Sequence, residues 1–211
     1  MTPGHHEFLI GPLGLRGTLR LPMRPRGLVV FAHGSGSSRF SPRNVHVAEI
    51  LGGHRLATLL FDLLTPEEAA SRANVFDIPL LAERLAQAVA RVDEEDSLKP
   101  LPLGLFGAST GAAAALVAST RLGARVACVV SRGGRPDLAG EALPLVTAPT
   151  LLIVGSHDFD VLELNRRAMR HLGGPSSLEI VPGASHLFEE AGTLDVAAAH
   201  AAAWFVKWMG G

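Results

Sequence analysis

Three residues far apart in the chain are of the types that acyl transfer needs. Ser109 lies in Gly107-Ala108-Ser109-Thr110-Gly111, Asp158 ends Gly155-Ser156-His157-Asp158, and His186 ends Pro182-Gly183-Ala184-Ser185-His186. A serine hydroxyl is hardly ionised near neutral pH, so it attacks a carbonyl only when a base takes its proton. An imidazole with an ordinary pKa of about 6.5 is suited to that task. An acid is then needed to fix the imidazole tautomer and to stabilise the imidazolium. The order along the chain is nucleophile, acid, base.

Each assignment has a competitor. Asp160 stands beside Asp158 but reads as a solvated loop charge, and the spacing of three after Gly155 favours Asp158. His157 reads as a loop neighbour of the acid, and His33 as a ring that supports its own turn. His5 and His6, adjacent near the start, read as solvated residues of a frayed end; no histidine pair with a carboxylate partner has metal-ligand spacing, so no metal is expected. Cys128, the only cysteine, lies in the apolar run 126–130 and reads as a buried strand residue. No disulfide or cysteine zinc site is expected within one chain. The loop Gly34-Ser35-Gly36-Ser37-Ser38-Arg39 begins like a dinucleotide loop but lacks the third glycine, and the lysine of a P-loop is missing. No cofactor is expected.

The elements that must position these residues follow from pattern. The apolar run 103–108 leads into Gly-x-Ser-x-Gly and then into alanines 112–115, the sequence of a strand, a tight turn and a helix. So tight a turn strains the central residue, and flanking side chains would collide with the neighbouring strand and helix; glycines 107 and 111 have none. Ser109 is thereby held at the tip, above the positive end of a helix dipole. Residues 8–10 and 15–21 read as an edge hairpin across Gly11-Pro12-Leu13-Gly14. Strands are predicted at 27–32, 55–62, 103–108, 125–130, 150–154 and 177–181, and helices at 42–53, 78–94, 110–122, 161–172 and 195–209. Residues 63–74 read as a polar connection, and 131–137 as a loop. Alternation of this kind indicates a mainly parallel sheet of about eight strands with helices on both faces. In such a sheet ligands bind beyond the carboxyl ends of the strands, where the loops beginning at residues 33, 107, 155 and 183 all emerge.

The whole chain, 1–211, is expected to form one domain, burying roughly 70–75% of its surface on folding. Near-neutral balance, net charge −1, gives no basic field for nucleic acid or an anionic membrane. No run approaches the roughly 20 apolar residues of a membrane span, and the first residues lack a signal-peptide pattern, so a soluble cytoplasmic protein is expected. Tyrosine is absent, which removes the phenol that tyrosine-and-lysine oxidoreductases use as proton donor.

The elbow, with Ser109, Asp158 and His186 in that order, resembles the α/β-hydrolase superfamily, and the small size without a lid insertion is most similar to its dienelactone hydrolase-like branch. The resemblance covers nearly the whole chain. It implies Ser109 as nucleophile, His186 as general base and Asp158 as orienting acid. It further implies an oxyanion hole made by the amides of Thr110 and of Ser35, just after His33-Gly34. One departure stands: the branch's namesake uses a cysteine nucleophile, and here the elbow holds serine. The expected activity is hydrolysis of a small carboxylic ester or thioester through an acyl-enzyme. A peptidase or amidase of the same fold is the alternative within enzymes, and a non-catalytic binding protein the alternative outside them. Arg39, Arg43, Arg132 and Arg135 follow loops at the same sheet edge, and their convergence would suit an anionic substrate. The competing expectation is that Asp62, Asp137 or Glu141 pair with them and brace the loops.

Overall fold

The computed structural model describes residues 1–210. Its strands are β1 (Gly4–Ile10), β2 (Leu15–Leu21), β3 (Gly27–Ala32), β4 (Leu56–Phe61), β5 (Leu103–Ala108), β6 (Val126–Arg132), β7 (Thr150–Gly155) and β8 (Ser176–Val181). They form one eight-stranded sheet in the order β1-β2-β4-β3-β5-β6-β7-β8. β1 and β2 form an antiparallel hairpin, and β2 is antiparallel to β4; every pairing from β4 to β8 is parallel.

The helices are α1 (Pro42–Gly53), α2 (Pro66–Ala69), α3 (Arg72–Val75), α4 (Ile78–Asp93), α5 (Thr110–Leu122), α6 (Phe159–Met169) and α7 (Thr193–Met209). Central strands with both faces covered read as unbroken apolar runs. In β3, Leu28 and Val30 pack with Leu85 of α4 and Ala114 of α5, while Val29 and Phe31 pack on the other face with Val47 of α1 and Ala201 of α7. The alanines of α5 are fully buried, so this helix lies close against the sheet and fixes the residue at its head.

Three expectations are corrected. β1 begins at Gly4, so His5 and His6 are paired opposite Arg20 and Leu19 in an edge strand and are not frayed. The connection 63–74 contains two short helices. α2 is stabilised by a capping box in which Thr65 and Glu68 bond each other's backbone amides, with Pro66 at the first helical position. Four residues make too little of a helix to show periodicity. Finally, β6 runs on to Arg132, paired between Ala108 and Ile153, so this arginine is fixed by the sheet and not carried on a loop. Among the described residues no helix is long and apolar enough to cross a membrane.

Candidate active site

The elbow is built as its residue types require. Ser109 has φ 52° and ψ −121°, a strained conformation for a residue with a side chain that costs about 1–3 kcal/mol. The surrounding hydrogen bonds hold it there: the amides of Ala112 and Arg135 both donate to the Ser109 carbonyl at 3.1 Å, and the Ser109 amide donates to the Arg132 carbonyl at 3.3 Å. A Cβ on Gly107 would sit 2.6 Å from the Ala112 nitrogen, and one on Gly111 would press on the Ala32 and His33 carbonyls, the latter at 2.5 Å. Both glycines are needed for the close approach of strand and helix.

His186 and Asp158 are joined. His186 Nδ1 and Asp158 Oδ2 lie 2.6 Å apart, with the carboxylate mostly buried. A carboxylate can only accept, so Nδ1 carries the proton and Nε2 is left as the basic atom. The two loops are stitched together: the His157 amide donates to the Ala184 carbonyl at 2.9 Å, and the Gly183 amide to Ser156 Oγ at 2.8 Å. Glu190 accepts from the Ser185 amide at 3.0 Å, and these bonds hold its carboxyl below the ordinary value. His157 and Asp160 point outward and are exposed. Ser109 and His186 line one cavity of about 280 Å³, which also takes in Ser35, Arg43, Asn44 and Arg132. The Ser109 hydroxyl makes no hydrogen bond to His186 in this resting arrangement; such bonds commonly tighten only with substrate in place.

His33 is a strut between two strand ends. Its Nδ1 donates to the Gly34 carbonyl at 2.9 Å, and its Nε2 accepts from the Leu63 amide at 3.1 Å. Burial lowers its pKa, so the ring stays neutral. The Thr110 amide is the first of α5 and has no intrahelical acceptor. The Ser35 amide differs from the sequence expectation of a free donor: it donates to Thr110 Oγ1 at 2.9 Å. The two backbone positions are thus neighbours, but one is occupied at rest by the side chain of the other.

The four arginines separate into two pairs, which corrects the expected convergence. Arg39 pairs with Asp62, its amide also donating to that carboxylate at 2.8 Å, and its guanidinium lies over Phe40. Arg135 grips Asp137 with two bonds of 2.8 and 2.7 Å. Both brace loops. Arg132 and Arg43 instead line the cavity beside Ser109. Arg43 reaches Glu189 at 3.4 Å. Arg132 is only 8% exposed; its Nη2 touches Asn44 Oδ1 at 3.3 Å, and its Nε and Nη1 have no partner among the described residues. Burial and the neighbouring Arg43 lower its pKa to about 10, still charged near neutrality. Asn44, Glu190, the Thr110 hydroxyl and Phe188, buried under Arg132 with φ 56°, were not identified from sequence. A polar residue inside an otherwise apolar helical stripe was the one available signal for Asn44. Cys128 is buried in β6, its thiol pushed up to about 12.

This sheet, its elbow and the loops at its carboxyl edge define an α/β hydrolase without a lid domain. The crystal structure of a dienelactone hydrolase from Anabaena variabilis is 48% identical, each chain covering 99% of the other, with a TM-score of 0.94. The chain belongs to the dienelactone hydrolase family. The fold is shared with Est1E from Butyrivibrio proteoclasticus, 14% identical, covering 99% of this chain and 100% of that one, TM-score 0.82. It is also shared with XC6422 from Xanthomonas campestris, described as an α/β serine hydrolase without lid, 20% identical, covering 98% and 95%, TM-score 0.78. A Mycobacterium tuberculosis protein named "Putative phosphoribosyl transferase" is 57% identical over 205 residues, 97% of this chain. This chain spans 46% of that relative's length. No family model matches the chain.

Proposed function

We propose that this hydrolase is a serine esterase or thioesterase acting on small substrates through an acyl-enzyme. Ser109 Oγ attacks the carbonyl carbon while His186 Nε2 takes its proton, and Asp158 stabilises the resulting imidazolium. The oxyanion is held by the Thr110 amide and by the Ser35 amide once the latter turns from Thr110 Oγ1; each such donor contributes about 3 kcal/mol to the barrier reduction. His186 then protonates the leaving group and activates the water that releases the acid. The observation that carries the reading is the 2.6 Å bond between His186 and Asp158 in loops beside a strained Ser109 on a shared cavity. The cavity arginines support an anionic substrate, because Arg132 and Arg43 line the cavity that holds Ser109 and no carboxylate pairs with Arg132 among the described residues.

Phosphoribosyl transfer, suggested by the name of the M. tuberculosis relative, belongs to a protein of which this chain matches less than half. A strained serine beside a carboxylate–imidazole pair favours hydrolysis over it. The test is a fluorophosphonate probe followed by peptide mapping. Labelling at Ser109 that disappears in Ser109→Ala is expected; labelling at another residue, or ester turnover that survives the substitution, refutes the assignment.

A further inference from the structure

A second cavity, of about 410 Å³, lies on the opposite side of the oxyanion loop. It meets the first at Gly34, Ser35 and Ser37, touches Thr110 at the elbow, and is walled by Leu63, Leu64, Val75 and Leu81 under the α2–α3 segment. Its one guanidinium, Arg39, is already neutralised by Asp62. The roof is anchored: Arg84 of α4, only 8% exposed, reaches Glu68 of α2 at 2.8 Å, and Asn74 bonds the Glu68 carbonyl at 3.0 Å. The cavity is therefore preformed, mainly apolar beneath the α2–α3 segment and continuous with the oxyanion loop.

We propose that this cavity takes the acyl arm of the substrate, and that the leaving group is the arm that carries the negative charge. The inference rests on the serine hydrolase reading and adds a direction to it. Collapse of the tetrahedral intermediate breaks the bond from carbonyl carbon to leaving oxygen or sulfur, and that atom must receive its proton from His186 Nε2. The leaving group therefore departs on the side of His186, which lines the cavity of Arg132 and Arg43 and not the apolar one. The acyl substituent points the other way, past Ser35 and Thr110, towards Leu63, Leu64, Val75 and Leu81, where the one guanidinium is already neutralised and the remaining polar groups are hydroxyls and the His33 ring. Water then cleaves the acyl-enzyme, releasing the carboxylic acid and returning the proton to Ser109.

Four esters test the direction. In 4-butanoyloxybenzoate the charge is on the leaving group, and its methyl ester is the neutral control. In mono-4-nitrophenyl glutarate the charge is on the acyl arm, and 4-nitrophenyl pentanoate is the control. The expected result is that kcat/KM for the first benzoate exceeds its methyl ester by about tenfold or more, while the glutarate falls below the pentanoate by a similar factor. Arg132→Met and the half-exposed Arg43→Gln should each pull the benzoate ratio towards one. Ala69→Trp, an exposed α2 position at the mouth of the apolar cavity, should shift preference from butanoyl to acetyl esters. A glutarate preferred over the pentanoate, or a benzoate ratio near one in the wild type, overturns the direction. Turnover that persists in Ser109→Ala would instead sink the serine reading itself.

Discussion

Arg132→Met separates what the buried guanidinium does for binding from what it does to the fold. Its Nε and Nη1 are buried without partners among the described residues, and each buried unpaired donor costs about 1–3 kcal/mol, so the two together cost roughly 2–6 kcal/mol. Against this, the Nη2 bond to Asn44 is long at 3.3 Å and contributes about 1 kcal/mol, and the ring of Phe188, 5.7 Å away, adds about 0.5–1 kcal/mol. Methionine fills similar space with no polar atoms, so the variant is expected to be at least as stable as the wild type, by up to about 4 kcal/mol, each kcal/mol raising the melting temperature by roughly 2–4 °C for a chain of this size. Urea unfolding at pH 7 and calorimetry measure the change. A second arm uses 4-hydroxybenzoate, the leaving group of the preferred ester. At about a hundred times its Kd a ligand stabilises by about 2.7 kcal/mol, and this shift should appear in the wild type and vanish in the variant. A variant less stable than wild type by more than about 1 kcal/mol, with its benzoate response intact, would refute the reasoning: Arg132 would then be a structural support.

Gly111→Ala places a Cβ against the Ala32 and His33 carbonyls, and overpacking against backbone should cost about 1–3 kcal/mol and most of the proposed ester turnover. Gly52→Ala, with open space around it in α1, is the control and should be neutral or slightly stabilising in the same melt; equal losses in both would refute the packing argument. His33 gives a pH dependence. Its folded pKa lies below the ordinary 6.5, so above that value both states hold a neutral ring and it contributes no slope. As pH falls below about 6.5 the unfolded chain takes up a proton that the folded ring refuses, and stability should fall by at most about 1.4 kcal/mol per pH unit. Urea midpoints between pH 7 and 5 should drop less steeply in His33→Gln; parallel slopes would remove His33 from the acid sensitivity.

The fold was legible where one pattern dominated. β2, β3, α1 and α5 occupy the residues expected, because β2 alternates apolar and polar residues, β3, buried on two faces, is an unbroken apolar run, and Ser41-Pro42 and Gly107-x-x-x-Gly111 mark helix starts by local chemistry. The α2–α3 segment was illegible because each helix is four residues long, and its order comes from Arg84 reaching Glu68 across sequence. The apolar pattern of β6 stops two residues short of the strand, since Ser131 and Arg132 are polar, yet the ladder to β5 and β7 continues through them.

The site divides along the same line. The placement of Ser109, Asp158 and His186 at the carboxyl edge could be read because the elbow, the strand ends and their order are linear features. The arginines could not be sorted, since sequence gives proximity to an edge but not the presence of a carboxylate within reach. Asp62 and Asp137 lie next to Arg39 and Arg135, and no carboxylate reaches Arg132 among the described residues. The strand assignment and the pairing are one fact seen twice. Because β6 carries Arg132 within the sheet, its backbone is locked between Ala108 and Ile153 and the guanidinium cannot swing out to water as a loop arginine would. A charge so confined has Asn44 and the Phe188 ring as its neighbours and no carboxylate among the described residues. Its place in the cavity with Ser109 and His186 is what the proposed anionic leaving group would complement.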